Sequence, residues 1–183
     1  MDESPQTAVC SPLLLNADGS PQICWARFQT VLTEITGELD RSQSEYPLDC
    51  FDTAERRFTL RAFPVDWVGG ACFMVRREAI NDVGLMDEGF FMYSEETEWC
   101  YRFAQHGWQT RLIPSVVVTH LGGSSSSQVK AATRERMHKS ILRLYKIMYG
   151  TWGAIPPSVV ATARYAAYHI RNFVRQKIAK PVH

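Results

Sequence analysis

Apolar and polar positions fall into two regimes: short apolar runs broken by turn residues up to residue 120, then two long stretches of helical period. Cys10 to Leu15 is apolar, Asn16-Ala17-Asp18-Gly19 supplies turn chemistry, and Ile23 to Phe28 reads as a returning strand. This predicts a hairpin across residues 9–28. From Thr33 to Arg61 the pattern fades into polar and charged residues, which predicts a surface loop or a weak helix. Val65 to Val75 is a strand pattern interrupted by Gly69-Gly70-Ala71, where small residues mark a bulge or a close approach to the backbone. Arg77 to Val83 fits a short helix closed by Gly84. Ser94 is placed to cap a helix running to about His106 and ended by Gly107. The valine-rich run Leu112 to Thr119 predicts a buried strand, followed by His120 and a Gly/Ser loop.

Residues 129–149 place Met137, Ile141, Leu144, Tyr145 and Met148 on one helical stripe, with Gly150 as a stop. After Pro156-Pro157 a second helix carries Val160, Ala163, Ala167, Ile170, Val174 and Ile178 at spacings of three and four. Arg164, Arg171 and Arg175 border that stripe; Thr162, His169, Asn172 and Gln176 lie opposite. Two readings stay open: an interfacial helix whose arginines reach lipid headgroups, or an amphipathic helix packed on its own domain.

Charge sharpens the division. The chain has 183 residues and a net charge of +1, but residues 1–120 carry 9 Lys and Arg against 18 Asp and Glu. Residues 121–183 carry 11 Lys and Arg and one acid, Glu135. An acidic body of residues 1–127 followed by a basic helical extension, 128–183, is the expected organisation. The extension calls for a polyanionic partner such as an anionic membrane surface. Nucleic acid is not expected, because neither a stacking platform nor a reading helix accompanies the charge.

The N-terminus is polar and acidic, and no apolar run approaches the roughly 20 residues of a membrane-spanning helix. A cytoplasmic location follows, peripheral at the inner face of the membrane if the basic helices bind lipid. Five widely spaced cysteines without a Cys-x-x-Cys pair fit reduced thiols rather than a zinc site. Cys72 and Cys100 sit in apolar patterns expected in the core.

Chemistry concentrates between Val65 and His120. In order it holds Asp66-Trp67-Val68-Gly69-Gly70-Ala71, Arg76-Arg77, Gly84-Leu85-Met86-Asp87-Glu88, Phe90-Phe91-Met92-Tyr93, Glu95-Glu96-Thr97-Glu98, Cys100-Tyr101-Arg102 and His120. On a helix from Ser94, Glu95, Glu98 and Arg102 share one face, while Glu96 points with Cys100 and Phe103 to the apolar side. A carboxylate held against apolar groups has its proton affinity raised, which suits a general base. The competing explanation is that these glutamates favour a helix N-terminus through its dipole, with Glu98 pairing to Arg102. That alternative is strong for Glu95 and Glu98 and weaker for Glu96.

This ordered set resembles the second half of the catalytic domain of family 2 glycosyltransferases, in particular their rhamnosyltransferase-like members. The resemblance spans roughly residues 8–150. It implies an α/β fold of the GT-A type, here partial, with a mixed sheet and C-terminal amphipathic helices. It implies sugar transfer from a nucleotide-sugar donor to a polysaccharide or lipid-linked acceptor in envelope glycan synthesis. Glu96 takes the place of the general base of inverting transfer. Trp67, Gly69, Gly70, Ala71, Asp87, Glu88, Tyr93 and Glu95 fall on the acceptor side, with Asp87 and Glu88 ordering the receiving loop. His120 falls where family members help hold a divalent metal, Mn²⁺ or Mg²⁺, on the donor diphosphate, beside a Gly122-Gly123 loop able to face phosphate. A lone histidine is otherwise structural. Of Trp67, Phe90, Phe91, Tyr93, Trp99 and Trp108, most read as core, with Trp67 and Tyr93 as candidate walls of a sugar site.

Two departures matter. Glutamates stand at both aspartate positions of the family's Glu-Asp-x-Asp pattern, lengthening the base by one methylene. A misplacement of about 1 Å costs on the order of a hundredfold in rate. No Asp-x-Asp occurs in the chain, so a donor-binding N-terminal half is expected from elsewhere. The alternative is a non-catalytic relic that binds a membrane or partner through its basic helices.

Overall fold

The computed structural model describes residues 1–22, 24–36, 51–52, 57–58, 62–121 and 130–178. In chain order these form β1 (Thr7–Leu15), β2 (Trp25–Ala26), α1 (Val31–Thr36), β3 (Phe51–Asp52), β4 (Arg57–Phe58), β5 (Phe63–Val65), β6 (Trp67–Val68), β7 (Met74–Val75), α2 (Arg77–Val83), α3 (Glu95–Gln105), β8 (Gln109–Thr119), α4 (Lys130–Gly153) and α5 (Ile155–Ile178). The principal sheet is mixed, in the order β5-β8-β1-β7, with β1 and β8 parallel and both outer strands antiparallel to their neighbours. This is the α/β architecture with a mixed sheet expected of a partial GT-A-like fold.

β1 is apolar along nearly its whole length because it lies inside the sheet and is covered. Val9, Leu13 and Leu15 pack with Val68, Phe103 and Leu112 in the main core. The hairpin expected across residues 9–28 does not form. Its turn does: Gly19 adopts φ 85° and Asp18 accepts from the backbone and hydroxyl of Ser20. Beyond the turn, among the described residues, the return is limited to a Leu15–Pro21 bridge with Gln22 N donating to Leu14 O, and β2 pairs with β6 instead. β8 takes one edge of β1 along its length, β7 takes the other only at Val9 and Cys10, and at the Leu15 bridge Pro21 has no N–H to continue a ladder.

The strand expected from Val65 to Val75 is three short strands in two sheets, parted at Asp66 and again at Gly69–Phe73. β8 begins before the predicted Leu112 and is buried only in its first half. Its register against β1 jumps from Pro12↔Ile113 to Leu13↔Val117, which bulges Pro114, Ser115 and Val116 out of the ladder. Prolines stand in both strands at that break, where neither can donate. Val116 is consequently 52% exposed.

α2 spans its predicted residues, and Gly84, at φ 90°, closes it with an N–H to Ile80 O. α3 ends before Gly107, at φ 81°. Ser94 stands at its N-cap position but is left-handed, at φ 67°, and makes no side-chain cap. Gly150 breaks α4 as expected, with φ 69°. Leu144 and Tyr145 of the predicted α4 stripe are fully buried.

α5 does not pack on its own domain through its apolar stripe. Ala154, Pro157 and Ala161 are buried, with Tyr165 and Tyr168 partly so, whereas the apolar stripe faces solvent. Ile170 is 65% exposed, and Val159, Phe173 and Val174 are exposed with it. The small Ala161 face allows α4 and α5 to approach closely. No helix among the described residues is long and apolar enough to cross a membrane. Cys10, Cys24 and Cys100 are buried free thiols and Cys72 is partly buried, as core cysteines should be. Cys50, the Gly122-Gly123 loop and most of the polar stretch Thr33–Arg61 lie outside the described residues.

Candidate active site

The α3 N-terminus carries Glu95, Glu96 and Glu98 in its first turn, where carboxylates are favoured by the exposed backbone N–H groups. The three then part company. Glu98 is 2% exposed and is gripped by Arg102, with Nε to Oε1 at 2.6 Å and Nη2 to Oε2 at 2.9 Å. The same guanidinium donates to Val83 O and Leu85 O, tying α3 to the end of α2. Glu98 is therefore a structural anchor, as its i,i+4 spacing to Arg102 indicates.

Glu95 and Glu96 have no such partner. Each is partly buried and keeps one carboxylate oxygen sealed from solvent and without a hydrogen-bond partner among the described residues. Glu96 faces a narrow recess lined by Val9, Val68, Phe73, Trp99 and Cys100. Burial raises its pKa above the ordinary carboxylate value, and the neighbouring Glu95 charge adds to that; backbone N–H groups, including that of Gly70, oppose it. A poised, under-satisfied carboxylate next to a second acid is well suited to take up a proton.

The glycine segment explains how Glu96 is reached. Gly69 donates to Cys24 O at 2.7 Å, pinning the segment to the core. A Cβ on Gly70 would stand 3.8 Å from Glu96 Cδ. The small residues therefore bring the backbone against the glutamate itself. Gly70 and Ala71 are exposed, so this edge of the site is open. Trp67 is partly buried and donates through Nε1 to Arg27 O at 2.9 Å, which fixes its indole. Phe90 and Trp99 are buried, Trp108 donates to Asp82, and Phe91 is exposed.

Asp87, Glu88 and Tyr93 lie on the loop that feeds α3, and α4 holds that loop. Arg143 Nη2 meets Asp87 Oδ2 at 2.6 Å, and Asp87 Oδ1 accepts from Gly89 N. These hydrogen bonds, Arg143 first, hold the Asp87 carboxyl below its usual range. Ser140 donates to Met92 O, and the Arg136 guanidinium lies 4.6 Å over the Phe91 ring. Glu88 is exposed. Tyr93 and Ser94 both adopt positive φ, 70° and 67°, a costly geometry that aims the chain into α3. These α4 contacts were not legible in sequence, since an arginine gives no local sign of an acid more than fifty residues away.

Arg143→Ala is expected to free this loop. Amide hydrogen exchange at Gly89 and Phe90 should accelerate, while global stability falls by no more than about 1 kcal/mol, as for a partly exposed ion pair. Unchanged exchange at both amides would rule out the clamp. A Cβ at Gly89 would stand 2.3 Å from Arg143 Nη2, so Gly89→Ala should displace the same guanidinium and reproduce the effect.

His120 ends β8 beside the β1 turn. Its N–H donates to Leu15 O, its Nδ1 lies 2.9 Å from Gln22 Oε1, and Gln22 donates back to His120 O. This reciprocal pairing orients the ring. Among the described residues no three His, Cys, Asp or Glu side chains gather as a metal site. The residues present do not by themselves fit the expected divalent ion.

A second concavity opens on the other side of Tyr93 and Ser94, between α1, α4 and α5. Of its arginines, Arg164 and Arg171 read in sequence as the border of the apolar stripe and Arg134 only as part of the basic charge.

The chain is 28% identical over 155 residues to an N-acetylglucosaminyl-diphospho-decaprenol L-rhamnosyltransferase of Mycobacterium tuberculosis, covering 83% of this chain and 50% of that protein. It is 31% identical over 74 residues to the dTDP-rhamnosyl transferase RfbF of Shigella flexneri, covering 40% of this chain and 25% of that protein. A stretch of 39 residues is 46% identical to the low-salt glycan biosynthesis hexosyltransferase Agl10 of Haloferax volcanii, covering 21% and 13%. The chain spans about half the length of the M. tuberculosis relative and less of the others. The family model described as glycosyl transferase family group 2 matches residues 39–178, and the chain belongs to that family.

Proposed function

We propose that the chain forms the acceptor side of an inverting sugar transferase, with Glu96 as general base. The observation that carries this is the Glu96 carboxylate, which keeps an unpartnered sealed oxygen and a raised proton affinity beside the open Gly70–Ala71 edge. In the reaction an acceptor hydroxyl gives its proton to Glu96 while its oxygen bonds to the donor's anomeric carbon. The nucleoside diphosphate leaves from the opposite face, inverting the centre. Glu95 keeps Glu96 basic through like-charge proximity. Trp67, Gly69, Gly70 and Ala71 border the acceptor, and the loop carrying Asp87, Glu88 and Tyr93 receives it.

The relatives point to a rhamnosyl donor such as dTDP-rhamnose and a lipid-linked N-acetylglucosamine acceptor. Donor-binding residues come from sequence outside this stretch. His120 would face that half, and no step is assigned to a metal through it. The test replaces Glu96 by Gln in the source organism's own gene and measures rhamnosyl transfer to a diphospholipid-linked acceptor in cell extracts. Loss of transfer supports the assignment; wild-type transfer removes it.

A membrane-surface role for α5 belongs to the same proposal. It is supported by the outward apolar stripe, including Ile170, Phe173 and Val174, on a strongly basic helix pair. Such a helix lies on an anionic bilayer with its apolar side in the headgroup region. Ile170→Ser/Phe173→Ser/Val174→Ser should abolish flotation with vesicles containing phosphatidylglycerol, and Arg164→Ala/Arg171→Ala/Arg175→Ala should weaken flotation and remove most of its salt dependence. Equal flotation of all three proteins would refute the role.

A further inference from the structure

The concavity beyond Tyr93 and Ser94 has a volume of about 660 Å³, and no catalytic role given above accounts for it. Arg134, Arg164, Arg171, His138 and Glu34 line it together with Tyr93. Arg164 is occupied by Glu34, donating to its backbone O at 2.8 Å and lying 3.4 Å from Oε2. Tyr145 donates to the other oxygen of that carboxylate. Arg134 lies 3.7 Å over the Tyr168 ring, and His138 stacks on Tyr165 at 4.4 Å. Those aromatic contacts fix the Arg134 plane and the imidazole without neutralising any charge. Neither Arg134 nor Arg171 has a hydrogen-bonded or ion-paired partner among the described residues. Burial keeps the His138 pKa below its usual value, so the ring is neutral near pH 7. Three arginines against one glutamate leave the cavity with two positive charges.

The geometry points to a binding site for the diphosphate of a lipid-linked acceptor, held by Arg134 and Arg171 within this cavity. A sugar–diphosphate–lipid diester carries two negative charges, matching the excess, and planar guanidinium groups suit phosphate oxygens. Tyr93 and Ser94 border the cavity and immediately precede Glu95 and Glu96. From Ser94 to Glu96 is at most about 8 Å of backbone, two Cα steps. On this proposal the sugar attached to the diphosphate reaches from the Ser94 rim of the cavity toward the base, where it presents the attacking hydroxyl. The inference rests on the lipid-linked acceptor reading above.

Isothermal titration of this chain tests it with three probes: N-acetylglucosaminyl-diphosphoryl-farnesol, the matching farnesyl glycoside without diphosphate, and dTDP. Wild-type protein should bind the diphosphoryl probe at least about tenfold more tightly than the glycoside, the scale of charged hydrogen bonds. Arg134→Gln/Arg171→Gln should erase that difference and leave glycoside binding unchanged. Arg134→Lys/Arg171→Lys, which keeps the charge, should recover part of it. Equal binding of the diphosphoryl probe to wild type and the Gln pair, or no binding to wild type, overturns the site. An equal Arg-dependent loss for dTDP overturns the acceptor assignment in favour of the donor's diphosphate. Failure of the base is separable. Should Glu96→Gln transfer normally while the diphosphoryl probe still needs the arginines, the cavity stands and the base falls. Should Glu96→Gln abolish transfer while the Gln pair binds as wild type, the reverse holds.

Discussion

Glu96→Gln is expected to lower sugar transfer roughly 10²–10⁴-fold, the usual contribution of a positioned general base, while stabilising the protein at neutral pH. The two effects have one cause. Burial, with Glu95 beside it, raises the folded-state pKa of Glu96 above the ordinary 4.5. The folded state thus holds the Glu96 proton more tightly than the unfolded chain does. The resulting stabilisation is present in full below the unfolded pKa and is lost as pH rises through the folded one. At neutral pH the wild type holds a charge that its surroundings resist, and glutamine removes that charge. Denaturant midpoints of wild type and Glu96→Gln should therefore diverge as pH rises from about 4.5 towards 7, with the variant more stable. The acid limb of the wild-type rate profile should lie above the ordinary glutamate range, because protonation removes the base. A variant that transfers normally and is less stable at neutral pH would make Glu96 a structural residue, and the assignment would fall.

Arg102→Ala should give the largest loss of stability, about 3–5 kcal/mol, the scale for breaking a buried pair by removing one partner. It leaves the Glu98 carboxylate, 2% exposed, without its guanidinium. It also removes the donors to Val83 O and Leu85 O that join α3 to the end of α2. For a chain of this size the melting temperature should fall by roughly 10 °C. Glu98→Leu/Arg102→Met should recover much of the loss, since a buried pair is often replaceable by well-packed apolar groups. A calorimetric shift below about 2 °C for Arg102→Ala, or no recovery in the double variant, would contradict this account. The contrast with Glu96 is diagnostic: two glutamates two residues apart on one helix respond to substitution with opposite signs.

Sequence spacing reached far into this protein. The i,i+4 relation of Glu98 and Arg102 announced their pair, Gly84, Gly107 and Gly150 marked helix ends, and the ordered motifs from Trp67 to His120 identified the family. Each is a local signal, carried by period, capping or the spacing of neighbours along one element.

What tertiary structure alone decided is the choice of partners distant in sequence. β1 took β8 along its length while the returning segment went to β6, because strand pairing is settled by contacts across the whole fold rather than by the nearest turn. α5 buried Ala161 and turned Ile170 outward, because close packing against α4 favoured the small-residue face over the more apolar one. Glu95 and Glu96 each kept a sealed oxygen without a partner among the described residues, because no distant cation was brought to it. Arg143 found Asp87, and Arg134 and Arg171 gathered at one cavity, across helices that carry no record of each other in their own periodicity. Period and spacing describe a face; what meets that face depends on contacts between residues that chain connectivity keeps far apart.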